Sequence, residues 1–197
     1  MKSTLAHTFG LAAALATGLM TAGTAQAQAV TYTIDPTHTF ASFEVDHMGT
    51  STLRGRFDRK EGSVQFDRAA RSGRVDITID IRSVSTGVEP LNKHLLDEDF
   101  FDATKHPSAR FVGDKFSFNG DKVSAVAGTL TLRGKTLPVT LQARQFNCYM
   151  NPMFKREVCG GDFETTLQRS QWGMSWGLNL GVPDSVRLLV QVEAIRQ

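Results

Sequence analysis

The segment RVDITIDIR, residues 74–82, shows the most regular alternation of apolar and polar side chains in the chain. Its apolar members stand at every second position and are Val75, Ile77, Ile79 and Ile81. A period of two is typical of a β-strand with one face on an apolar core and the other in water. The segment therefore predicts an antiparallel sheet with one buried face and one wet face.

The same alternation recurs on both sides of this segment. It covers residues 40–47, 53–57, 64–66, 123–132 and 186–193. With a hairpin predicted about Asn119-Gly120, the pattern indicates about eight to ten antiparallel strands. A barrel would leave no unpaired sheet edges, and around eight strands can enclose one small ligand. A β-sandwich fits the same spacing and is the alternative.

Residues 92–111, NKHLLDEDFFDATKHPSARF, interrupt the strand pattern. A short helix is predicted over roughly Pro90 to Leu96, because proline suits the first turn of a helix. The paired Phe100 and Phe101 need an apolar environment, which an all-β chain offers at the mouth or interior of its sheet. We expect this segment to close one end of a barrel. A packed connection without a ligand explains it equally well.

The first 27 residues have the features of an export signal. A lysine at position 2 precedes an apolar run over residues 9–20, and Ala25-Gln26-Ala27 is a small-x-small cleavage signature. We expect cleavage near Ala27 and a mature chain, residues 28–197, that forms a single domain. The formal net charge of +2 gives no indication of nucleic-acid binding.

The two cysteines, Cys148 and Cys159, are expected to form a disulfide that closes a ten-residue loop after the strand ending at Phe146. Disulfides persist in exported proteins, and this spacing fits neither a CxxC redox motif nor a metal site.

Motifs that carry chemistry are missing from the sequence. The histidines of the mature chain, His38, His47, His94 and His106, form no HxH or HExxH pattern, and neither a GxSxG elbow nor a P-loop occurs. We therefore predict a protein that is not an enzyme and that requires no metal or cofactor. Aromatic residues are plentiful instead, with five phenylalanines between positions 100 and 118. Either a lipid pocket or an ordinary packed interior explains them.

Ordered motifs along the whole mature chain resemble the YceI-like family of exported, lipocalin-like polyisoprenoid-binding proteins. The segments that carry the resemblance are Tyr32-x-Ile34-Asp35-Pro36-x-His38, Phe43-x-Val45-x-His47, Arg54-Gly55-Arg56-Phe57, Asp99-Phe100-Phe101-Asp102, Lys105-His106-Pro107, Gly128-x-Leu130-Thr131-Leu132-Arg133-Gly134 and Arg169-Ser170-x-Trp172-Gly173-Met174. The resemblance implies an all-β fold: an extended antiparallel eight-stranded lipocalin-like barrel with a short helical insertion near residues 89–103. It also implies a periplasmic location and a bound isoprenoid, such as a polyprenyl quinone. The Cys148–Cys159 loop departs from the family pattern.

Strand parity and this resemblance together select the candidate ligand-binding residues. Those expected to line the interior are Phe43, Val45, Phe57, Ile77, Ile79, Leu130, Leu132, Leu188 and Val190. Phe100, Phe101 and Trp172 are candidates for the mouth, and His94 is a candidate partner for a polar head group. Arg54 is a remoter candidate because its parity points outward. Ordinary core packing is the alternative for each apolar position.

Three functions remain open on the sequence. The first is a periplasmic carrier whose partner is a hydrophobic small molecule. The second is a stress-response or electron-transfer accessory module, in which a bound quinone serves a membrane cytochrome through transient contact. The third is an enzyme on a lipophilic substrate. Monomer and homodimer are both compatible with the sequence.

Overall fold

Eleven β-strands, one α-helix and three short 3-10 helices lie within residues 29–197, the part of the chain that the computed structural model describes. The predicted signal peptide, residues 1–27, lies outside the described residues. The strands are β1 (Val30–Ile34), β2 (Phe40–His47), β3 (Ser51–Phe57), β4 (Lys60–Asp67), β5 (Ser72–Asp80), β6 (Val84–Ser85), β7 (Ser108–Asn119), β8 (Lys122–Leu132), β9 (Lys135–Met150), β10 (Glu157–Gln168) and β11 (Ser185–Arg196). The helix, α1, spans Glu89–Leu96.

The strands close into an antiparallel barrel. Hydrogen-bonded neighbours run in the order β1-β4-β5-β7-β8-β9-β10-β11, and β11 pairs with β1 to complete the ring of eight strands. After a bend, β2 follows β1 and pairs with the same neighbour, β11. Strand β3 pairs with β2 and leads into β4. This closure decides between the two architectures that the spacing allowed, in favour of the barrel.

The bend between β1 and β2 is fixed by Asp35. Its carboxylate accepts hydrogen bonds from the Thr37 backbone N–H at 2.8 Å and the Thr37 hydroxyl at 2.6 Å, and it lies 2.7 Å from His38 Nδ1. Burial raises the pKa of Asp35, but the hydrogen bonds from His38 and Thr37 outweigh it and hold that pKa at about 2. The carboxylate is therefore ionised at neutral pH and stabilises the bend.

The two ends of the barrel differ in their connections. At the hairpin end, the turns at residues 68–71, 120–121 and 151–156 join neighbouring strands. The turn between β7 and β8 is Gly120-Asp121, one residue beyond the predicted dipeptide, because Asn119 pairs with Lys122. At the helix end, the chain makes two longer excursions, over residues 81–107 and 169–184.

The predicted loop around the disulfide is instead a regular hairpin. Strand β9 continues to Met150, and Cys148 stands directly opposite Cys159 on β10. Their sulfur atoms are bonded at 2.04 Å, which confirms the disulfide. The expectation that a strand ends at Phe146 is wrong, because inter-strand pairing continues through the disulfide to the turn at residues 151–156.

The helical insertion folds over the helix end, and α1 confirms the helix predicted there. The Asn92 side-chain oxygen accepts hydrogen bonds from the backbone N–H and the hydroxyl of Thr86, which fixes the entry to the helix. The Phe101 N–H donates to the Leu95 carbonyl at 3.0 Å, so the chain after α1 turns back towards the barrel. In residues 29–197, no helix combines the length and apolar character needed to span a bilayer.

Candidate functional site

The barrel interior contains two unfilled apolar compartments. The hairpin-end compartment has a cavity volume of about 110 Å³, and its walls include the rings of Phe66, Phe116 and Phe163. The helix-end compartment has a volume of about 130 Å³ and is lined by the insertion as well as by strands, with Phe101 among its residues. Nearly all side chains that line either compartment are aliphatic or aromatic.

The two compartments adjoin one another along the barrel. Ile79, Leu130 and Leu188 line both of them. On β8 the lining runs from Val123 in the hairpin-end compartment to Leu132 in the helix-end compartment. At roughly 3.3 Å per residue this is about 30 Å of strand, comparable with the hydrocarbon thickness of a bilayer. The interior therefore has the length and apolar character that a long lipid chain requires.

Strand β11 shows directly that the interior is unfilled. Its inward positions Val186, Leu188, Val190 and Val192 all stay partly exposed, although they point into the barrel. In a close-packed interior such side chains would be fully buried. They remain partly accessible because the opposite walls of the barrel leave space between them.

Twelve of the thirteen predicted ligand residues line one or both compartments. Those on the hairpin-end side are Ile77 and Val190; those shared are Ile79, Leu130 and Leu188; and those on the helix-end side are Phe43, Val45, Phe57, Phe100, Phe101, Leu132 and Trp172. Their contact with a ligand stays a prediction. Arg54 points outward, as its parity indicated, and its Nε donates to Glu44 at 2.8 Å.

His94 is the predicted residue that lines neither compartment. Its ring packs edge-on against Trp176, at 4.7 Å between centroids, and against Phe100 at 4.9 Å. Its Nε2 lies 3.6 Å from an Asp99 carboxylate oxygen. The residue thus belongs to an aromatic cluster that joins the helical insertion to the second excursion, residues 169–184. Its proposed contact with a head group stays untested.

Trp172 and Arg169 hold the second excursion, residues 169–184, over the helix end. Trp172, predicted at the mouth, is only 2% exposed, and its indole N–H donates to the Leu130 carbonyl at 3.4 Å. The buried Arg169 guanidinium donates to the carbonyls of Pro183, Met174 and Val182 at 2.8, 2.8 and 3.2 Å. Burial lowers the pKa of Arg169, the Asp184 carboxylate opposes this shift, and the three carbonyls satisfy N–H donors of the guanidinium. These contacts close this end of the barrel.

Lys60 is a charged residue of the interior that the sequence reasoning missed. It pairs with Ile79 across β4 and β5, and it lines the hairpin-end compartment. Its Nζ lies 4.2 Å from the centre of the Phe40 ring and donates to the Asp58 carbonyl at 3.2 Å. Burial lowers the pKa of Lys60. On β4, every second residue counted back from the inward-facing Phe66 lies on the same face of the strand. This count reaches Lys60, so the sequence contained the signal that would have identified it.

Polar groups also mark the hairpin end. The Tyr32 hydroxyl donates to Glu157 at 2.7 Å, and burial, together with this bond, raises the pKa of Tyr32 to about 12. Glu157 and the two cysteines bring possible metal-ligand atoms within 4.8 Å of one another. Since both sulfur atoms are joined in the disulfide, they lack the thiolate that metal ligation requires.

Comparison with known proteins gives matches over nearly the whole described chain. The model of the YceI-like domain matches residues 32–194. A UPF0312 protein of Pseudomonas aeruginosa is 37% identical over 201 residues and is covered completely, as is this chain. The crystal structure of Burkholderia cenocepacia BcnA is 26% identical with a TM-score of 0.67, covering 82% of this chain and 99% of BcnA.

A more distant structure shares the fold. It is described as a polyisoprenoid binding domain from Saccharophagus degradans implicated in plant cell wall breakdown. It is 18% identical, has a TM-score of 0.62, and covers 85% of this chain and 99% of that domain.

Proposed function

Because the chain belongs to the YceI-like family, we propose that it binds a long isoprenoid or similar lipid chain inside its barrel. The partial exposure of inward apolar side chains along the two adjoining compartments carries this proposal. The polyisoprenoid binding domain from Saccharophagus degradans, which has the same fold, supports the choice of an isoprenoid.

The energetics favour such a ligand. A prenyl chain in water gains about 0.8 kcal/mol for each CH₂-sized unit that it buries. A preformed cavity reduces the ordering that binding would otherwise require, so most of this gain is retained. The ligand would contact the twelve predicted residues that line the compartments, with Phe57 and Phe101 packed edge-on at 5.6 Å in the helix-end compartment. No catalytic step is needed for this task.

The finer assignment is a carrier in the periplasm whose ligand is a polyprenyl quinone. The Cys148–Cys159 disulfide supports an oxidising compartment, since disulfides persist there and are rare in the cytosol. The features of residues 1–27 support export. The length of the lining favours a tail of several prenyl units over a short-chain ligand.

Native mass spectrometry of gently purified protein tests the proposal. We expect an added mass that organic extraction releases and that fragments as a prenyl lipid. An ultraviolet spectrum of the extract that changes on borohydride reduction would identify a quinone. A protein that carries no added mass, and that binds neither geranylgeraniol nor hexadecanol on titration, would refute lipid binding. A bound non-quinone lipid would refute only the finer assignment.

A further inference from the structure

The barrel wall has a gap in its strand pairing beside Lys60. Pairing of β1 with β4 ends at Thr33 and Ser63, and pairing of β2 with β3 begins at Ala41 and Phe57. Residues 34–40 and 58–62 are therefore not paired with each other, although Ile34 and Phe40 pair with β11 and residues 60–62 pair with β5. The ring of Phe40 and the ammonium group of Lys60 meet in this gap.

Lys60 separates the interior from the outside at this point. It lines the apolar hairpin-end compartment, and it also lines an outer groove of about 390 Å³. The groove contains Arg59, Glu61, Asp80 and Arg82, so its surface is strongly charged. A molecule with its tail in the compartment can therefore place its head beside Lys60, where the apolar lining ends.

Within the described residues, Lys60 has no short ion pair; the carboxylates of Asp58 and Asp35 act on its charge only from a distance, and burial outweighs them and lowers its pKa. Among residues 29–197, no carboxylate oxygen lies within 4.0 Å of its Nζ, whose protein acceptor is the Asp58 carbonyl. The Asp58 carboxylate bonds Arg56 at 2.8 Å, and that of Asp80 bonds Arg59 at 2.9 Å.

The remaining acid of the groove, Glu61, is exposed and points to the outer face of β4, and its carboxylate oxygens lie more than 4.0 Å from the Lys60 Nζ. A partly buried cation of this kind gains most from a negatively charged oxygen. Arg169, the other cation that lines the interior, already donates to three carbonyls.

We propose that Lys60 binds the acidic head group of the ligand, through a phosphate or carboxylate oxygen, in the gap between the hairpin-end compartment and the outer groove. This inference rests on the proposed lipid-binding function, and it specifies the ligand class as acidic amphiphiles, which take the place of the quinone in the finer assignment. The Phe40 ring, 4.2 Å from the Lys60 ammonium, lies with it at the boundary between the apolar compartment and the polar groove.

Calorimetric titration with matched pairs of ligands tests the role of Lys60. The pairs are geranylgeranyl phosphate with geranylgeraniol, and hexadecanoic acid with hexadecanol, all below their micellar concentrations. We expect the delipidated wild-type protein to bind at least one acid about tenfold to a hundredfold more tightly than its alcohol, the range of a charged hydrogen bond. The pair that shows the preference identifies phosphate or carboxylate as the head group.

Three variants complete the test. Lys60→Gln should lose the preference for the acid while its affinity for the alcohol stays within about twofold, because the tail contacts are unchanged. Lys60→Arg should retain the preference. Lys115→Gln, at an exposed position on β7 that lines no compartment, controls for net charge and should behave as wild type. Melting curves of all three variants establish that they are folded.

Two results would overturn the assignment of Lys60. One is equal affinity of the wild-type protein for acid and alcohol, and the other is a preference for the acid that survives in Lys60→Gln. In both cases the alcohol still binds, so lipid binding itself stands. Failure of every acid and every alcohol to bind would instead refute the proposed function.

Discussion

A tryptophan at the junction of the two compartments should separate them. Leu188 on β11 lines both compartments and pairs with Phe43 across the sheet, so its side chain projects where the cavities adjoin. Leu188→Trp places a large rigid ring at this point. A tail that spans the interior in the wild-type protein would then be confined to one side.

The expected loss of affinity follows from the sizes of the compartments. Their volumes are similar, about 110 and 130 Å³, so a spanning tail loses roughly half of its burial when it is stopped at the junction. At about 0.8 kcal/mol per CH₂, exclusion of only four carbon units costs about 3 kcal/mol, which is more than a hundredfold in Kd. A chain short enough for one compartment should lose little.

Calorimetric titration with geranylgeraniol and with the much shorter geraniol measures this length dependence. Leu189→Trp is the matched control, because it adds the same ring at the next position of β11, which faces outward and lines neither compartment. Leu188→Trp should weaken the binding of geranylgeraniol selectively, and Leu189→Trp should bind both alcohols as the wild-type protein does. The melting temperatures of both variants report any cost of overpacking.

Two outcomes would contradict this account of the interior. Unchanged affinity of Leu188→Trp for geranylgeraniol would mean that long tails do not cross the junction. An equal loss for the long and short alcohols, with Leu189→Trp unaffected, would mean that the substitution disturbs one common site. Either result would show that a bound tail does not extend through both compartments.

Three further predictions concern single contacts. Phe101→Ala should weaken retention of a prenyl ligand more than it lowers the melting temperature, because the ring lines a compartment; a proportional fall in both would make it a core residue. Reduction of the Cys148–Cys159 bridge should lower the free energy of unfolding by about 3 kcal/mol in urea titrations, and no measurable change would contradict the loop-closure reasoning. Because the folded pKa of Asp35, about 2, lies below its ordinary value of 3.8, its stabilisation is present at neutral pH and is lost as pH falls from about 4 to about 2. Asp35→Asn should therefore be less stable than the wild-type protein at neutral pH, by about 1 kcal/mol after allowance for solvent screening. Near pH 2 the two proteins should be about equally stable. A stability difference that does not change with pH would refute this assignment.

Strand parity alone predicted most of the barrel wall, because a half-buried strand must alternate. Val75 and Ile77 are buried, and their neighbours Asp76 and Thr78 are less so, as the segment at residues 74–82 indicated. Alternation could not decide between barrel and sandwich, since both bury one face of each strand. That choice depends on the pairing of β1 with β11, which joins the two ends of the described chain.

The features that sequence reasoning missed depend on contacts between distant segments. Cys148 and Cys159 lie on paired strands, which their spacing alone could not distinguish from a closed loop. Trp172 was predicted at the mouth, but the hydrogen bond from its indole to the Leu130 carbonyl, 42 residues away in the chain, could not be predicted from the sequence. Lys60 was overlooked because Gly62 weakens the apolar pattern of β4, although the parity continues through it.

Glycines opposite large rings help to explain why the interior stays unfilled. A Cβ on Gly55 would lie only 2.2 Å from the tip of the Phe43 ring, so this ring lies against the wall where a side chain would otherwise stand. In the hairpin-end compartment, Phe116 lies over Gly73 in the same way, with 2.9 Å to the corresponding position. An aromatic ring whose tip occupies the space over a glycine contributes apolar surface to the lining without projecting as far across the barrel. If these phenylalanines projected inward, they would fill the cavity that they now line. The width of the interior therefore depends on the positions of the glycines as well as on the number of strands.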